Sequence, residues 1–237
     1  MPENALEDII KQKEVKTIVM RDDSSFFKSL GLHETFILFI ILKDGILSKD
    51  ILKLREIFDR KSFPYIDYVR TQVNHILSER KEPIYISVVL TENIFDVFCN
   101  SPEYTILMNR DFLRGEFYKR RDNKTYRIRR VLPYDVAMST EEGLVTFHQI
   151  FLEFLVNEKI ESEKVIDYLT LAMMRNMLLV YNVYEDDKEA ITEEYKNYFP
   201  KSFKLAREIL EGDEKSQKLL DFPKVAIKEL WIPMDLL

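Results

Sequence analysis

Glycine is scarce in this sequence, with only five glycines in 237 residues, while charged residues make up 32% of the chain. An all-β sandwich needs many tight turns, and glycine supplies their backbone conformations most readily. Glu, Lys and Arg in contrast favour helices. The chain is also 46% apolar and long enough to bury a substantial core. We therefore expect a globular, helix-rich α+β protein.

The spacing of apolar residues predicts the elements of the first hundred residues. The predicted helices are 6–20 (extended over its last residues, 16–20), 26–31, 33–43, 49–58 and 65–80, and the predicted strands are 84–90 and 94–99. Gly31 and Gly45 end the second and third helices, and Ser48 caps the fourth. The order of these elements is several helices followed by a two-stranded hairpin.

Residues 30–99, with these helices and this hairpin, resemble a winged helix-turn-helix DNA-binding domain of the type found in response regulators. In that family an apolar helix ends at a glycine, a serine opens the second helix, the third helix enters the major groove, and a hairpin wing follows. These roles would fall on Gly45, Ser48, helix 65–80 and strands 84–99. The resemblance implies an N-terminal winged-helix-like unit.

The third helix of that unit would present Arg70, Asn74 and His75 to base edges. It carries few basic residues for this role, because Arg70 and Arg80 are offset by two acidic residues of the same helix. Three helices with a hairpin are also a common structural unit without any ligand. Both interpretations stay open at this point.

Basic residues are concentrated in residues 110–130, which we call the basic segment. It contains nine basic and three acidic residues, a net charge of +6, whereas the whole chain carries −6 and the remainder therefore −12. An anionic ligand would be repelled from most of the surface and attracted to this segment. The residues expected to contact phosphates are Arg114, Lys119, Arg120, Arg121, Lys124, Arg127, Arg129 and Arg130.

The basic segment is predicted to form a central β-hairpin, with strands 115–121 and 125–132 and a turn between them. Phe117, Tyr118 and Tyr126 interleave with its arginines, a combination that single-stranded nucleic acid uses for stacking and phosphate contact. The alternative is pairing within the molecule, with acidic residues such as Glu141, Glu142 and those at 185–187.

The rest of the chain is predicted to be helical. Ser139 and Glu142 form a capping box, and the expected helices are 139–157, 162–184, 189–198, 201–210 and 214–220. The apolar tail around Trp231 either packs on these helices or docks a partner. We divide the chain into a winged-helix-like domain (1–100), a basic hairpin region (101–137) and a helical region (138–237).

Residue patterns for catalysis are scarce. The three histidines and the single cysteine are not spaced for a metal or a nucleophile, and no glycine-rich phosphate loop occurs. Asp111, Glu116 and Lys119 superficially suit a metal-dependent nuclease, but Glu116 and Lys119 would lie on opposite faces of a strand. We expect no catalytic residues, metal or cofactor.

The single cysteine, Cys99, indicates a reducing compartment, and the N-terminus lacks the pattern of a signal peptide. The apolar runs 36–42 and 165–184 are too short or too polar to span a membrane and are predicted to be buried helices. We expect a cytoplasmic, non-enzymatic, regulatory protein that binds nucleic acid. The alternative is an assembly protein whose basic hairpin docks an acidic partner or a second copy.

Overall fold

A computed structural model of the chain describes residues 15–43, 65–91, 118–119, 133–156, 162–212 and 215–231. The strands are β1 (Val15–Asp22), β2 (Thr35–Leu42), β3 (Ile84–Thr91) and β4 (Tyr118–Lys119). The helices are α1 (Ser24–Ser29), α2 (Tyr65–Leu77), α3 (Pro133–Val156), α4 (Glu163–Leu178), α5 (Lys188–Tyr198), α6 (Pro200–Glu211) and α7 (Lys215–Trp231), and a 3-10 turn, Leu179–Tyr181, follows α4. The fold is helix-rich α+β, as the composition predicts.

The four strands form one mixed sheet in the order β3-β2-β1-β4. β1 runs antiparallel to β2, with Asp22 opposite Phe36, and β2 runs parallel to β3, with Thr35 opposite Ile84. The end of β1 and the starts of β2 and β3 therefore lie at one end of the sheet. We call this the Asp22 end.

The predicted helix at 33–43 is wrong, because its apolar core is strand β2. β2 is paired on both sides, and its consecutive residues Ile40, Ile41 and Leu42 are all buried. A strand covered on both faces reads as a continuous apolar run, which periodicity alone cannot distinguish from a buried helix. The burial of the run 36–42 was expected, but its secondary structure was not.

Other predictions for the N-terminal part are confirmed where they can be compared. Residues 16–20 are extended, α1 ends before Gly31 with its φ of +66°, and α2 and β3 lie where a helix and a strand are expected. The predicted elements 6–14, 49–58 and 94–99 lie outside the described residues. The segment expected to form the first helix of the winged-helix-like unit is strand β2, and the third helix lies at α2. The resemblance itself stays a prediction.

Helix α4 is the centre of the helical region. Thirteen of its 16 residues are buried, among them Tyr168, Leu169 and Met173, and it contacts α2, α3, α5, α6 and α7. A helix that is apolar on nearly every side is stable only when other elements surround it. The buried helix predicted for this stretch is confirmed, and no helix in the described ranges is long and apolar enough to cross a membrane.

Three boundaries in the helical region differ from the sequence prediction. α4 ends at Leu178, with a 3-10 turn to Tyr181, whereas the prediction continues the helix to 184. α3 begins at Pro133, six residues before the predicted start. Proline is well accommodated in the first turn of a helix, so Pro133 is compatible with this earlier start. α7 continues through Pro223 to Trp231, whereas the prediction ends a helix at 220. Four apolar residues of α7 are buried against the other helices: Leu219, Phe222, Ala226 and Leu230.

A single hydrophobic core joins the sheet to the helices. It includes Phe26 and Ile37 from the N-terminal part and Phe147 and Tyr168 from the helical region. The boundary at residue 100 and most of the hairpin region lie outside the described ranges, so the division into three domains stays a prediction.

A buried ion-pair network ties the Asp22 end of the sheet to α4. Arg175 Nη2 lies 2.6 Å from Asp23 Oδ1 and 2.9 Å from Asp186 Oδ1. The hydroxyl of Tyr68 on α2 donates to Asp23 Oδ2 at 2.7 Å, and the Arg175 guanidinium lies 4.4 Å from the centre of the Phe26 ring. Buried charges are tolerated only when paired and hydrogen-bonded, so this network fixes the sheet, α2 and α4 relative to one another.

Candidate functional site

The basic segment joins the sheet through β4, of which Tyr118 and Lys119 are described. Lys119 pairs with Val19 and Tyr118 with Met20, antiparallel to β1, so β4 is the outermost described strand on its side. The predicted extended conformation is confirmed for these two residues. The other predicted contact residues of the segment lie outside the described ranges and stay predictions: Arg114, Arg120, Arg121, Lys124, Arg127, Arg129 and Arg130.

Arg70, predicted to read bases from α2, is engaged with α3. Its Nε and Nη2 donate to the two carboxylate oxygens of Glu153 at 3.3 Å and 2.9 Å, a two-pronged contact. The Arg70 side chain is 35% exposed and that of Glu153 43%. This geometry positions α2 against α3, and the pair would have to open before Arg70 could contact a base.

Asn74 and His75 lie next to each other on α2 in different surroundings. Asn74 is exposed, whereas His75 is half-buried and packs edge-on against the His33 ring, with 4.2 Å between ring centres. His75 Nε2 lies 3.1 Å from the Glu82 carbonyl oxygen, to which it donates when protonated at that nitrogen. Burial lowers the pKa of His75. Of the three predicted base-reading residues, Arg70 and His75 therefore have partners within the protein, and their role in base contact stays a prediction.

Two acidic residues considered as internal partners of the basic segment have other roles. Asp186 pairs with Arg175 in the buried network. Asp187 caps α5 by accepting from the backbone N–H groups of Glu189 and Ala190 at 3.0 Å and 3.2 Å. These backbone hydrogen bonds, that of Ala190 first, lower the pKa of Asp187. Both carboxylates thus serve the helical region itself.

A second group of basic side chains, which the sequence prediction missed, lies at the Asp22 end of the sheet. Arg80 and Lys81 follow α2, and Lys164 is in the first turn of α4; all three line one cavity together with His33. The adjacent Arg80 and Lys81 are visible in the sequence as a basic pair. No local signal joins them to Lys164, because the juxtaposition depends on how α4 packs against α2.

Comparison with protein-family models, with curated proteins and with solved structures found no match to this chain. The function proposed below therefore depends on charge and geometry alone.

Proposed function

We propose that this protein binds nucleic acid through the basic segment, without catalysing a reaction on it. The observation that carries the proposal is the charge contrast of +6 within residues 110–130 against −12 in the rest of the chain. Electrostatic contact with phosphates supplies most of the affinity in non-specific nucleic-acid binding. The basic segment is therefore a favourable place for a polyanion to bind on this otherwise acidic molecule.

The attachment of the segment to the sheet supports this proposal. Tyr118 and Lys119 are held by backbone pairing with β1, and successive residues of a strand face opposite sides of the sheet. Pairing restricts the backbone at this point before any ligand arrives, which lowers the ordering cost of binding. The segment also contains seven arginines and two lysines, and the planar guanidinium suits both phosphate contact and base stacking.

The roles of Asp186 and Asp187 also support the proposal. An alternative explanation of the basic segment is that the protein's own carboxylates neutralise it. Asp186 is instead committed to Arg175 and Asp187 to the first turn of α5. Each of these two carboxylates therefore already has a partner in the helical region, which lowers its attraction for the basic segment.

The alternative function, assembly with an acidic partner or a second copy, relies on apolar area from the C-terminal tail. Phe222, Ala226 and Leu230 of α7 are buried, whereas the side chain of Trp231 and residues 232–237 lie outside the described residues. We favour nucleic acid as the ligand because of the charge and the arginine content of the basic segment. An oligomer that persists on dilution and ignores added nucleic acid would instead favour assembly.

The test is a binding titration of fluorescent single- and double-stranded oligonucleotides, followed by anisotropy at about 50 and 200 mM salt. Changing Arg120, Arg121, Arg127 and Arg129 together to Ala should abolish or strongly weaken binding. Each lost phosphate contact removes roughly 0.7–0.9 from the slope of log affinity against log salt, so the residual slope should fall by about 3.

A matched control removes the same charge from the helical region: Lys196, Lys204, Arg207 and Lys224, all exposed, are changed to Ala. This control should bind as the wild type does. Equal affinity of both quadruple variants, or equal loss in both, would contradict the proposal. Circular dichroism of both variants checks that the helices remain folded.

A further inference from the structure

A small open cavity of about 130 Å³ lies at the Asp22 end of the sheet. Its walls come from the connection between α1 and β2, the connection between α2 and β3, and the first turn of α4. It is smaller than the roughly 300–1,000 Å³ of sites that enclose drug-sized ligands. A compact ion, or one terminal group of a larger molecule, fits such a volume.

Positive charge dominates this cavity. Arg80, Lys81 and Lys164 line it with Glu79 as the single carboxylate among its lining residues. Within the described ranges, no carboxylate oxygen lies within 4.0 Å of a charged nitrogen of these three cations. Three cations against one carboxylate give the cavity lining a net positive charge, which creates a local attraction for an anion in a protein of net charge −6.

The first turn of α4 contributes Lys164 to the cavity lining. Lys164 lies in the first turn of this 16-residue helix, and the side chain of Ser162 at the N-cap makes no capping hydrogen bond. The first N–H groups of a helix have no partner within it, and the helix dipole places partial positive charge at this end. Glu163, the acidic residue of the same turn, does not line the cavity.

The cavity wall is firmly held. His33 is 3% exposed, and its Nε2 lies 2.6 Å from Oε1 of the buried Gln72, to which it donates. Glu79 follows α2 with a φ of +54°, the left-handed conformation that often ends a helix. This turn brings Arg80 and Lys81 to the cavity directly after α2, so the cationic group depends on ordered backbone.

We propose that this cavity binds a phosphate group, either inorganic phosphate or a terminal phosphomonoester, through Arg80, Lys81 and Lys164. The phosphate would accept charge-assisted hydrogen bonds from the guanidinium and the two ammonium groups, and the N-terminus of α4 would add a favourable field. This inference does not depend on the proposed function, because none of these residues belongs to the basic segment.

The test uses the full chain and inorganic phosphate, with the ring signals of the three histidines followed by NMR. His33 lines the cavity whereas His148 does not, so a saturable shift of His33 signals without a matching shift of His148 locates the anion. Lys164→Ala and Arg80→Ala should each weaken phosphate binding about 10-fold or more, since each removes a hydrogen bond to a charged group. Lys204→Ala and Arg207→Ala, exposed positions on α6, should leave it unchanged.

Two results would overturn the proposal. One is the absence of a saturable His33 shift, and the other is an equal shift when chloride replaces phosphate at the same ionic strength. The quadruple arginine variant of the basic segment should retain the His33 response, which separates failure of this inference from failure of the proposed function. If a nucleoside monophosphate binds more tightly than inorganic phosphate, the cavity takes a phosphate group that belongs to a larger ligand. If it binds equally or more weakly, the ligand is the free phosphate ion.

Discussion

Replacing Arg175 by Met should destabilise the protein severely, because it removes the only described cation of the buried network. The side chains of Arg175 and Asp23 are 8% and 5% exposed. After the substitution, Asp23 would keep the Tyr68 hydrogen bond but would lose its ion pair with Arg175 while remaining buried. Methionine has a similar length and packs well in apolar surroundings, so the change tests the charge more than the volume.

The expected loss is about 3–5 kcal/mol of unfolding free energy, the cost of removing one partner of a buried ion pair. The contact of the guanidinium with the Phe26 ring, 4.4 Å from its centre, adds up to about 2 kcal/mol. Since domains are typically stable by only 5–15 kcal/mol, a large share of the total would be lost. Asp23→Asn should cost less, because Arg175 keeps Asp186 as its partner.

Urea unfolding, followed by circular dichroism and by tyrosine fluorescence, measures these changes. The two signals should coincide, which is the condition for converting midpoints into free energies. The double variant of Asp23→Asn with Arg175→Met should lose less than the sum of the two single losses, by about 0.5–3 kcal/mol, because the two side chains contact each other.

Arg70→Met is the matched control for this experiment. Arg70 also pairs with a carboxylate, that of Glu153, but the two side chains are 35% and 43% exposed. Exposed pairs contribute about 0–1 kcal/mol. If Arg175→Met cost no more than Arg70→Met, the argument that burial makes the Arg175 network important would be refuted.

Three further predictions concern single groups. Glu229→Gln should lower the unfolding free energy by about 1–3 kcal/mol, which thermal unfolding measures. The Glu229 carboxylate accepts hydrogen bonds from the backbone N–H groups of Lys201 and Ser202 at 2.9 Å and 2.8 Å, and an amide cannot accept at both positions. Glu79→Gly should raise the stability by about 0.5–1 kcal/mol by relieving its positive φ, whereas Glu79→Gln should not. Burial lowers the pKa of His33 from 6.5. The stability that the neutral His33 contributes is therefore complete above about pH 6.5 and decreases as the pH falls toward the folded-state pKa. Urea unfolding at roughly pH 7 and pH 5 should show a smaller loss of unfolding free energy at the lower pH in His33→Gln than in the wild type.

The helices of the C-terminal half could be predicted because their signals are local. Asp187 is the N-cap of α5 and Pro200 stands in the first turn of α6, and both residue types mark helix starts wherever they occur. The prediction of a helix where the structure has β2 has an equally local cause. Its consecutive buried isoleucines satisfy any apolar pattern, and only the neighbouring strands, distant in sequence, make it a strand.

The buried network and the phosphate cavity could not be predicted from the sequence. Asp23 and Arg175 are 152 residues apart, and nothing near either residue indicates that the other will neutralise it. Lys164 likewise meets Arg80 and Lys81 only because α4 packs beside α2. The basic segment was visible because its charge is contiguous in sequence, which is the one kind of site that composition can reveal.

The sheet geometry relates the two proposed phosphate-binding regions. β4 and β3 are three strands apart, about 14 Å at the usual strand spacing, and Tyr118 pairs with Met20 only two residues from the Asp22 end. Each strand of a duplex carries one phosphate per about 3.4 Å of helix axis, so about five nucleotides of a stacked strand cover the distance between β4 and β3.

A strand bound to the basic segment could therefore place its terminal phosphate in the cavity. A 5′-phosphorylated single-stranded oligonucleotide should then bind more tightly than the same oligonucleotide with a 5′-hydroxyl. Lys164→Ala should remove this difference while leaving the affinity for the 5′-hydroxyl form unchanged, and Lys204→Ala should preserve the difference. Equal binding of both oligonucleotides to the wild type would mean that the two regions act on separate ligands.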